Sequence, residues 1–293
     1  MVSQAQTLPT EGTVPAEGTE LYYRSVGSGT PLIMVHGGPG LGHYYLRPGM
    51  DALADRFRLV YYDQRGSGRS EVGDPARITL GGGVQDLLAV IDGLGIERAN
   101  LVGHSFGADL VALFASRHPT RVASLVLANP GPPFDPDQQA AFGAEMQRRV
   151  TPEDQAELER IQRSEGFAAR DPKVLEEFVR VNYLPFFSHR DLARTVSYGF
   201  TDITAANFRE AWGRTFRDLD PADAIAGLKE IEAPALVVYA ELDPIPEAFS
   251  RELADAIPGA RYAFINGANH FTYQEDPEPF FAAVAGFLVA GAR

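Results

Sequence analysis

Short apolar segments alternate with helical patterns along most of this 293-residue chain, and this alternation constrains the fold more than any other feature. Strands that are apolar along their whole length are buried on both faces, as in a parallel sheet covered by helices. The sequence therefore predicts an α/β fold: a mostly parallel central sheet with helices on both faces. The predicted strands are 31–35, 59–62, 99–102, 122–127, 235–239 and 261–265, and the predicted helices are 84–94, 106–117, 248–256 and 277–290.

An additional strand is predicted at 21–26, ahead of the alternating pattern. The segment Gly27-Ser28-Gly29 separates it from the strand at 31–35. A glycine-rich link of this length is typical of a turn between antiparallel strands. We therefore expect these two strands to form a hairpin.

The alternating pattern stops near residue 130 and resumes near residue 221. One core interrupted by an insertion explains this better than two separate domains, since 293 residues suit a single large domain. The predicted division is a core in two parts, 1–130 and 221–293, with a helical cap at 131–220.

The inserted segment carries helical signals and many aromatic residues. Thr151 and Asp154 have the spacing of a capping box, and Asp171-Pro172 marks another helix start. Nine of the 18 Phe residues lie in this segment, together with Tyr183, Tyr198 and Trp212. These residues form either the small core of a helical lobe or a lid over an apolar substrate pocket.

The composition narrows the possible partners. Asp and Glu outnumber Lys and Arg by 39 to 26, giving a net charge of −13. Such a chain repels a phosphate backbone and anionic membrane surfaces, so we expect neither nucleic acid nor membrane as a partner. The absence of cysteine excludes disulfides, thiolate catalysis and Cys-ligated zinc.

Targeting and cofactor signals are missing from the sequence. Residues 1–11 lack the basic start and apolar stretch of a signal peptide, and no apolar run approaches the roughly 18 residues of a membrane helix. We therefore expect a cytoplasmic protein. No spacing resembles a metal-binding motif, so we expect no metal and no other cofactor. The sequence does not indicate an oligomeric state.

The segment Gly103-His104-Ser105-Phe106-Gly107 matches the G-x-S-x-G pattern and lies between a predicted strand and a predicted helix. Such a tight strand-to-helix turn forces strained dihedrals on the serine and requires small neighbours. It also lifts the hydroxyl above the sheet. We therefore predict that Ser105 is a nucleophile.

A serine nucleophile needs a base and an acid that orients the base. Asp243 and His270 each follow a predicted strand, at the sheet edge where open α/β folds place their sites. Asp243 could instead be a turn residue before Pro244, and His270 a solvated loop residue. The order Ser, Asp, His favours the catalytic interpretation. His36 and His104 flank the predicted site, at positions where we expect the backbone to matter more than the ring.

The segment His36-Gly37-Gly38-Pro39-Gly40 follows the strand at 31–35. Glycine and proline are typical of a tight turn. The same residues also let another group approach the backbone N–H groups closely. Both interpretations hold together if the turn carries an oxyanion donor.

With these motifs, the chain resembles the α/β-hydrolase superfamily over essentially its full length. The pairing of HGGPG with the segment Asp63 to Ser70, DQRGSGRS, is similar to that of the prolyl aminopeptidase (proline iminopeptidase) family of serine peptidases. The resemblance implies that the Gly38 and Phe106 N–H groups bind the oxyanion. It also implies structural roles for Asp63 and Arg65 and a helical cap.

In that family, cap glutamates bind the free amine of the substrate. Glu210 lies near the expected position, with Arg209 beside it, so Glu210 and Trp212 are candidate substrate-binding residues. Some members carry a second acid directly after the triad aspartate, where this chain has Pro244.

The resemblance implies a serine hydrolase that acts through an acyl-enzyme on a small molecule or short peptide. The favoured activity is release of N-terminal proline or a similar small apolar residue. A carboxylesterase or small-amide hydrolase that needs no free amine is the alternative. A ligand receptor on a hydrolase scaffold is a third, less favoured, interpretation.

Overall fold

The computed structural model describes residues 10–47, 49–131 and 135–291. Within these ranges the strands are β1 (Glu11–Ala16), β2 (Thr19–Val26), β3 (Pro31–Val35), β4 (Arg58–Tyr62), β5 (Ala99–His104), β6 (Val122–Ala128), β7 (Ala235–Ala240) and β8 (Arg261–Ile265). They form one eight-stranded sheet in the order β1-β2-β4-β3-β5-β6-β7-β8. β3 to β8 are parallel, whereas β1 and β2 are antiparallel to their neighbours. The predicted α/β class is confirmed.

The helices in the same ranges are α1 (Leu80–Gly93), α2 (Phe106–Arg117), α3 (Pro136–Arg149), α4 (Pro152–Gln162), α5 (Glu165–Ala168), α6 (Pro172–Asn182), α7 (Arg190–Thr195), α8 (Asp202–Arg214), α9 (Pro221–Gly227), α10 (Glu247–Ala256), α11 (Thr272–Glu275) and α12 (Pro277–Gly291). Short 3₁₀ helices at His43–Leu46 and Gly49–Asp55 connect β3 to β4. None of the helices in the described ranges is long and apolar enough to cross a membrane.

Alternate side chains of the central strands feed two separate cores. Ile33 and Val35 of β3 pack on the face covered by α1, α2 and α10, whereas Leu32 and Met34 pack on the face covered by α12. All four residues are fully buried. Burial on both faces explains why these strands are apolar throughout rather than alternating with polar residues.

The predicted hairpin of the second and third strands is wrong. β2 pairs with β1 and β4, whereas β3 lies between β4 and β5. The link between β2 and β3 packs closely against the turn before β4. The contact is so close that a Cβ on Gly27 would collide with the carbonyl oxygens of Ala54 and Phe57. β1 was not predicted because it is an edge strand with one buried residue, Val14, and a proline at position 15.

Within the described residues, seven helices, α3 to α9, lie between β6 and β7. We call the first six, α3 to α8, together with the short links that join them, the inserted helices. The predicted helix starts are confirmed. Thr151 and Asp154 form a reciprocal capping box at α4, and the Asp171 side chain caps α6. The next helix, α9, packs with α2 and α10 of the sheet-covering layer.

Candidate active site

Ser105 occupies the turn between β5 and α2 in a strained backbone conformation. Its φ is 56° and its ψ is −130°, a backbone conformation that residues other than glycine rarely adopt. Its backbone N–H donates to the carbonyl oxygen of Ala128 at 3.0 Å, which ties the turn to the end of β6. The side chain borders a cavity at the carboxyl edge of the sheet.

The glycines around Ser105 are required by close backbone approach. A Cβ on Gly103 would collide with the carbonyl oxygen of Gly107, and a Cβ on Gly107 would collide with that of Val35. A Cβ on Gly37 would lie 2.5 Å from the His104 carbonyl oxygen. The G-x-S-x-G and HGGPG segments therefore pack directly against each other.

The structure brings Asp243 and His270 together. Asp243 follows β7 and His270 follows β8, and both side chains are buried. The Nδ1 atom of His270 lies 2.9 Å from Oδ2 of Asp243. The Ile245 N–H donates to the other carboxylate oxygen at 2.9 Å. His270 lines the same cavity as Ser105, and its Nε2 makes no hydrogen bond within the described residues.

Ser105 and His270 line the same cavity wall, but the Ser105 hydroxyl makes no hydrogen bond within the described residues. In hydrolases without a bound substrate, the contact between nucleophile and base is often long and shortens only in the complex. The arrangement is compatible with proton transfer from Oγ to Nε2.

Asn129 is a site residue that sequence reasoning missed. It follows β6 with a positive φ of 48°, and its Nδ2 donates to Oδ2 of Asp243 at 3.0 Å. Its Oδ1 accepts from the hydroxyl of Thr272 at 2.9 Å. Asn129 thereby holds the carboxylate that holds His270. Its position at a strand end, before Pro130, was the available signal.

The predicted oxyanion donors, Gly38 and Phe106, both border the cavity. Gly38 has a φ of 58°, and its carbonyl oxygen accepts from the Leu41 N–H at 2.8 Å, which fixes the loop. Phe106 is the first residue of α2, where N–H groups lack helical partners and the helix dipole favours negative charge. Neither N–H donates a hydrogen bond within the described residues.

A buried hydrogen-bond network joins the HGGPG loop to the loop of His270. The Gly37 N–H donates to the Tyr45 hydroxyl oxygen at 2.5 Å, and that hydroxyl lies 3.0 Å from Nδ1 of His104. Nε2 of His104 lies 3.0 Å from the carbonyl oxygen of His270. A carbonyl can only accept, so Nε2 of His104 donates, and in the neutral ring Nδ1 accepts from Tyr45.

We expected the backbone of His36 and His104 to matter more than the ring, and the structure shows that both rings also make specific hydrogen bonds. Burial, followed by the proximity of His270, holds the pKa of His104 well below its usual range, so its ring is neutral. Burial also lowers the pKa of His36 to about 4, and its Nε2 accepts from the Gln64 N–H at 3.1 Å. Each ring fixes a loop beside Ser105.

Asp63 and Arg65 hold the DQRGSGRS segment beside the HGGPG loop. The Asp63 carboxylate accepts from the His43 backbone N–H at 2.9 Å and lies 2.7 Å from its Nδ1. Burial is the largest single effect on Asp63 and opposes its ionisation, but the hydrogen bonds from His43 and the electrostatic effects of His43 and His36 together outweigh it and lower the pKa of the carboxyl. Arg65 makes two hydrogen bonds to buried Asp86, at 2.9 and 2.6 Å.

The cavity beside Ser105 has a volume of about 410 Å³ and an aromatic wall. No Asp, Glu, Lys or Arg lies among the described residues that line it. The aromatic lining residues are Tyr45, Phe106, Phe142, Phe178, Tyr183, Phe186, Phe208, Trp212 and Phe271. The Phe186 ring lies 4.6 Å from the His270 ring, centroid to centroid. The wall therefore suits an uncharged, apolar group.

Of the two candidate substrate-binding residues, the cavity contains Trp212 but not Glu210. Phe208 and Trp212 are four residues apart on α8 and share the face that lines the cavity. Glu210 lies between them in sequence, so it is turned to the other side of the helix. It is exposed and pairs with Arg214 at 3.3 Å, rather than with the neighbouring Arg209. The Glu210 expectation therefore finds no support in the geometry.

Within the described ranges, no group of three or more His, Cys, Asp or Glu side chains is placed to hold a metal ion.

The strand order, the inserted helices and the Ser105 turn are features of one large protein class. A family model described as alpha/beta hydrolase fold matches residues 30–277, which is most of the chain. The chain therefore belongs to the α/β-hydrolase family and has the fold of that family.

Three similar proteins show the range of this likeness. The proline iminopeptidase of Heyndrickxia coagulans is 26% identical over 95% of this chain and 98% of its own. The crystal structure of proline iminopeptidase from Mycobacterium smegmatis has a TM-score of 0.68 at 27% identity, covering 96% of this chain and 98% of its own. The enol-lactonase from Burkholderia xenovorans LB400 has a TM-score of 0.63 at 28% identity, covering 95% and 100%.

Proposed function

We propose that this chain is a serine hydrolase that cleaves neutral esters with an apolar acyl group, through an acyl-enzyme. The observation that carries the proposal is the wall of the cavity beside Ser105, which is aromatic and holds no charged side chain among the described residues. Such a wall favours an apolar substrate and offers a charged one no partner, so a charged group would lose its hydration without compensation.

In this proposal Ser105 attacks the ester carbonyl carbon, forming the Oγ–C bond while its proton passes to Nε2 of His270. Asp243, 2.9 Å from Nδ1, orients the ring and stabilises the imidazolium. The Gly38 and Phe106 N–H groups bind the oxyanion. His270 then gives the proton to the leaving alkoxide as the C–O bond breaks. Water, activated by His270, releases the acid in the second half-reaction.

The inserted helices act as the cap in this proposal, over the core formed by 1–130 and 221–293. They supply six of the nine aromatic residues that line the cavity, namely Phe142, Phe178, Tyr183, Phe186, Phe208 and Trp212. A substrate bound against this wall would displace water from it, which would strengthen the electrostatic interactions at the oxyanion. The cap would therefore set substrate choice while the strand ends perform the chemistry.

Release of N-terminal proline or a small apolar residue is the second candidate. Its support is the similarity to two proteins named proline iminopeptidase, each matched over most of both chains. A peptidase of this kind needs an anchor for the free amine. Glu210 is turned away from the cavity and paired with Arg214, so a different group would have to provide the anchor.

A substrate panel tests the proposal. Purified protein is assayed with p-nitrophenyl esters of increasing acyl length, with proline p-nitroanilide and with its N-acetyl derivative. We expect the protein to hydrolyse esters and the Ser105→Ala variant to have a kcat lower by about 10³-fold or more. The matched control is Ser116→Ala, because Ser116 lies on the same helix with its hydroxyl bonded to the Leu113 carbonyl.

Full ester hydrolysis by Ser105→Ala would contradict the serine mechanism. Cleavage of proline p-nitroanilide that exceeds ester cleavage, and that N-acetylation abolishes, would instead establish the aminopeptidase candidate.

A further inference from the structure

Tyr183 is the residue of the inserted helices that lies next to the predicted oxyanion donor. It caps the carboxyl end of α6 and lines the cavity with Ser105 and His270. Its hydroxyl oxygen lies 3.2 Å from the point that a Cβ on Gly38 would occupy. The phenol therefore reaches from the inserted helices to the loop whose N–H is expected to bind the reacting oxygen.

The Tyr183 hydroxyl has no hydrogen-bond partner within the described residues, although its ring is well fixed. The Tyr198 ring packs edge-on against it at 5.5 Å, and the Phe186 ring does so at 5.3 Å. Burial raises the pKa of Tyr183, so the hydroxyl keeps its proton and can donate. A fixed donor that faces a cavity and has no protein acceptor is placed for a substrate acceptor.

We propose that Tyr183 is a catalytic residue that donates a third hydrogen bond, from its hydroxyl, to the carbonyl oxygen attacked by Ser105. This inference rests on the proposed function. The Gly38 and Phe106 N–H groups approach the oxygen from the core, and Tyr183 approaches it from the inserted helices. As the oxygen gains charge in the transition state, an O–H donor in a site with little water strengthens its bond to that oxygen.

This placement has a structural corollary. Two donors are backbone groups of the core, but the third belongs to the segment that also forms the aromatic wall. The donor set is therefore complete only when the inserted helices are seated over Ser105.

Tyr183→Phe tests the proposal, and Tyr198→Phe is the matched control. The two rings pack against each other, and the Tyr198 hydroxyl also lacks a partner within the described residues, but Tyr198 does not line the cavity. We expect Tyr183→Phe to lower kcat for the best ester about 10²-fold, the effect typical of one lost oxyanion donor, with KM nearly unchanged. Tyr198→Phe should keep kcat within twofold, and both variants should melt near the wild-type temperature.

A second measurement is the binding of an acyl trifluoromethyl ketone, which forms a charged adduct with the nucleophile. Tyr183→Phe should weaken this binding by about the same factor as kcat/KM, because the adduct resembles the transition state. A role in packing alone would change the melting temperature or KM without this parallel loss.

The outcomes separate this inference from the proposed function. If ester hydrolysis depends on Ser105 but Tyr183→Phe keeps wild-type kcat and ketone affinity, the third donor is refuted and the serine mechanism stands. If Ser105→Ala keeps activity, the proposed function fails, and the Tyr183 assignment fails with it.

Discussion

Asp109 is a buried carboxyl that the proposed mechanism does not use. It lies on α2, four residues after Ser105, and is 3% exposed. Neither carboxyl oxygen has a partner at hydrogen-bonding distance within the described residues. Burial raises the pKa of Asp109 well above its usual range, and the nearby Gly131 N–H offsets only part of this effect. The Asp109 carboxyl therefore keeps its proton to a higher pH in the folded chain than in the unfolded chain.

Replacing Asp109 with Asn should remove a pH-dependent loss of stability. The unfolded chain releases the Asp109 proton near pH 4, whereas the folded chain keeps it to higher pH, so the Asp109 contribution to the free energy of unfolding falls as the pH rises above about 4. Asp109→Asn has no such proton. Its stability relative to wild type should therefore increase by about 1.4 kcal/mol per pH unit, up to the pKa in the folded state.

Urea unfolding of both proteins between pH 4.5 and 6.5 measures this difference. Asp255→Asn, at an exposed position on α10, is the control and should show no such trend. A constant difference between Asp109→Asn and wild type would mean that the folded protein ionises Asp109.

At the scale of elements, the inserted helices are tied to both loops that carry the predicted acid and base. Arg149, the last residue of α3, donates to the carbonyl oxygen of Leu242 at 2.7 Å. The same nitrogen lies 3.4 Å from Oδ1 of Asn269. Leu242 precedes Asp243 and Asn269 precedes His270. One guanidinium therefore links α3 to the positions of both residues.

Arg149→Met should lower turnover without removing any group that touches substrate. Because the loops of Asp243 and His270 lose a shared anchor, we expect kcat for the best ester to fall roughly tenfold or more, since small displacements of catalytic groups are costly. The lost charged hydrogen bonds should also destabilise the fold by about 2 kcal/mol.

The neighbouring variant Arg148→Met is the control. Arg148 is mostly exposed and pairs with Glu145, as Arg149 does, but makes no contact with either loop. Steady-state kinetics and thermal unfolding of the two variants should differ clearly. Equal kinetics would show that the linkage does not position the site.

The elements were largely predictable from the sequence, but their pairing was not. β5, α2 and β8 were predicted because apolar runs and helix periods are local signals. The partners of β2 depended on how the link near Gly27 packs against Ala54 and Phe57, and no local pattern records such a contact.

The site divides in the same way. The chain order of Ser105, Asp243 and His270 was the signal that predicted a shared site, and the structure places Asp243 against His270 and both Ser105 and His270 at one cavity. The Tyr45 hydroxyl meets a ring 59 residues away, and that ring meets a carbonyl 166 residues further on. The direction of Glu210 depended on helix phase, and Trp212, two residues on, was the signal that could have placed it.

At the scale of the whole molecule, the outer charge and the cavity wall differ in kind. The chain carries a net charge of −13. In contrast, no Asp, Glu, Lys or Arg is found among the described residues that line the cavity. The surface field therefore acts on charged substrates as they approach, but it does not act on neutral ones. Salt screens such a field over about 10 Å at 0.1 M ionic strength.

Ionic strength should consequently separate two esters of the same acyl group, one with a neutral and one with an anionic leaving group. Raising the salt from about 0.01 to 0.5 M should increase kcat/KM several-fold for the anionic ester by screening the repulsion. The neutral ester, measured in the same buffers, is the control and should change little. A parallel response of both esters would point to a salt effect on the protein itself.

The Tyr45 phenol gives the site a single point of shared dependence. Its oxygen accepts a hydrogen bond from the Gly37 N–H of the HGGPG loop, and its O–H donates to Nδ1 of His104. Nε2 of His104 in turn donates to the His270 carbonyl oxygen. In the proposed mechanism, the oxyanion stabilisation and the proton transfer therefore depend on the same side chain. A substitution of Tyr45 would therefore be expected to weaken both of these contributions at once.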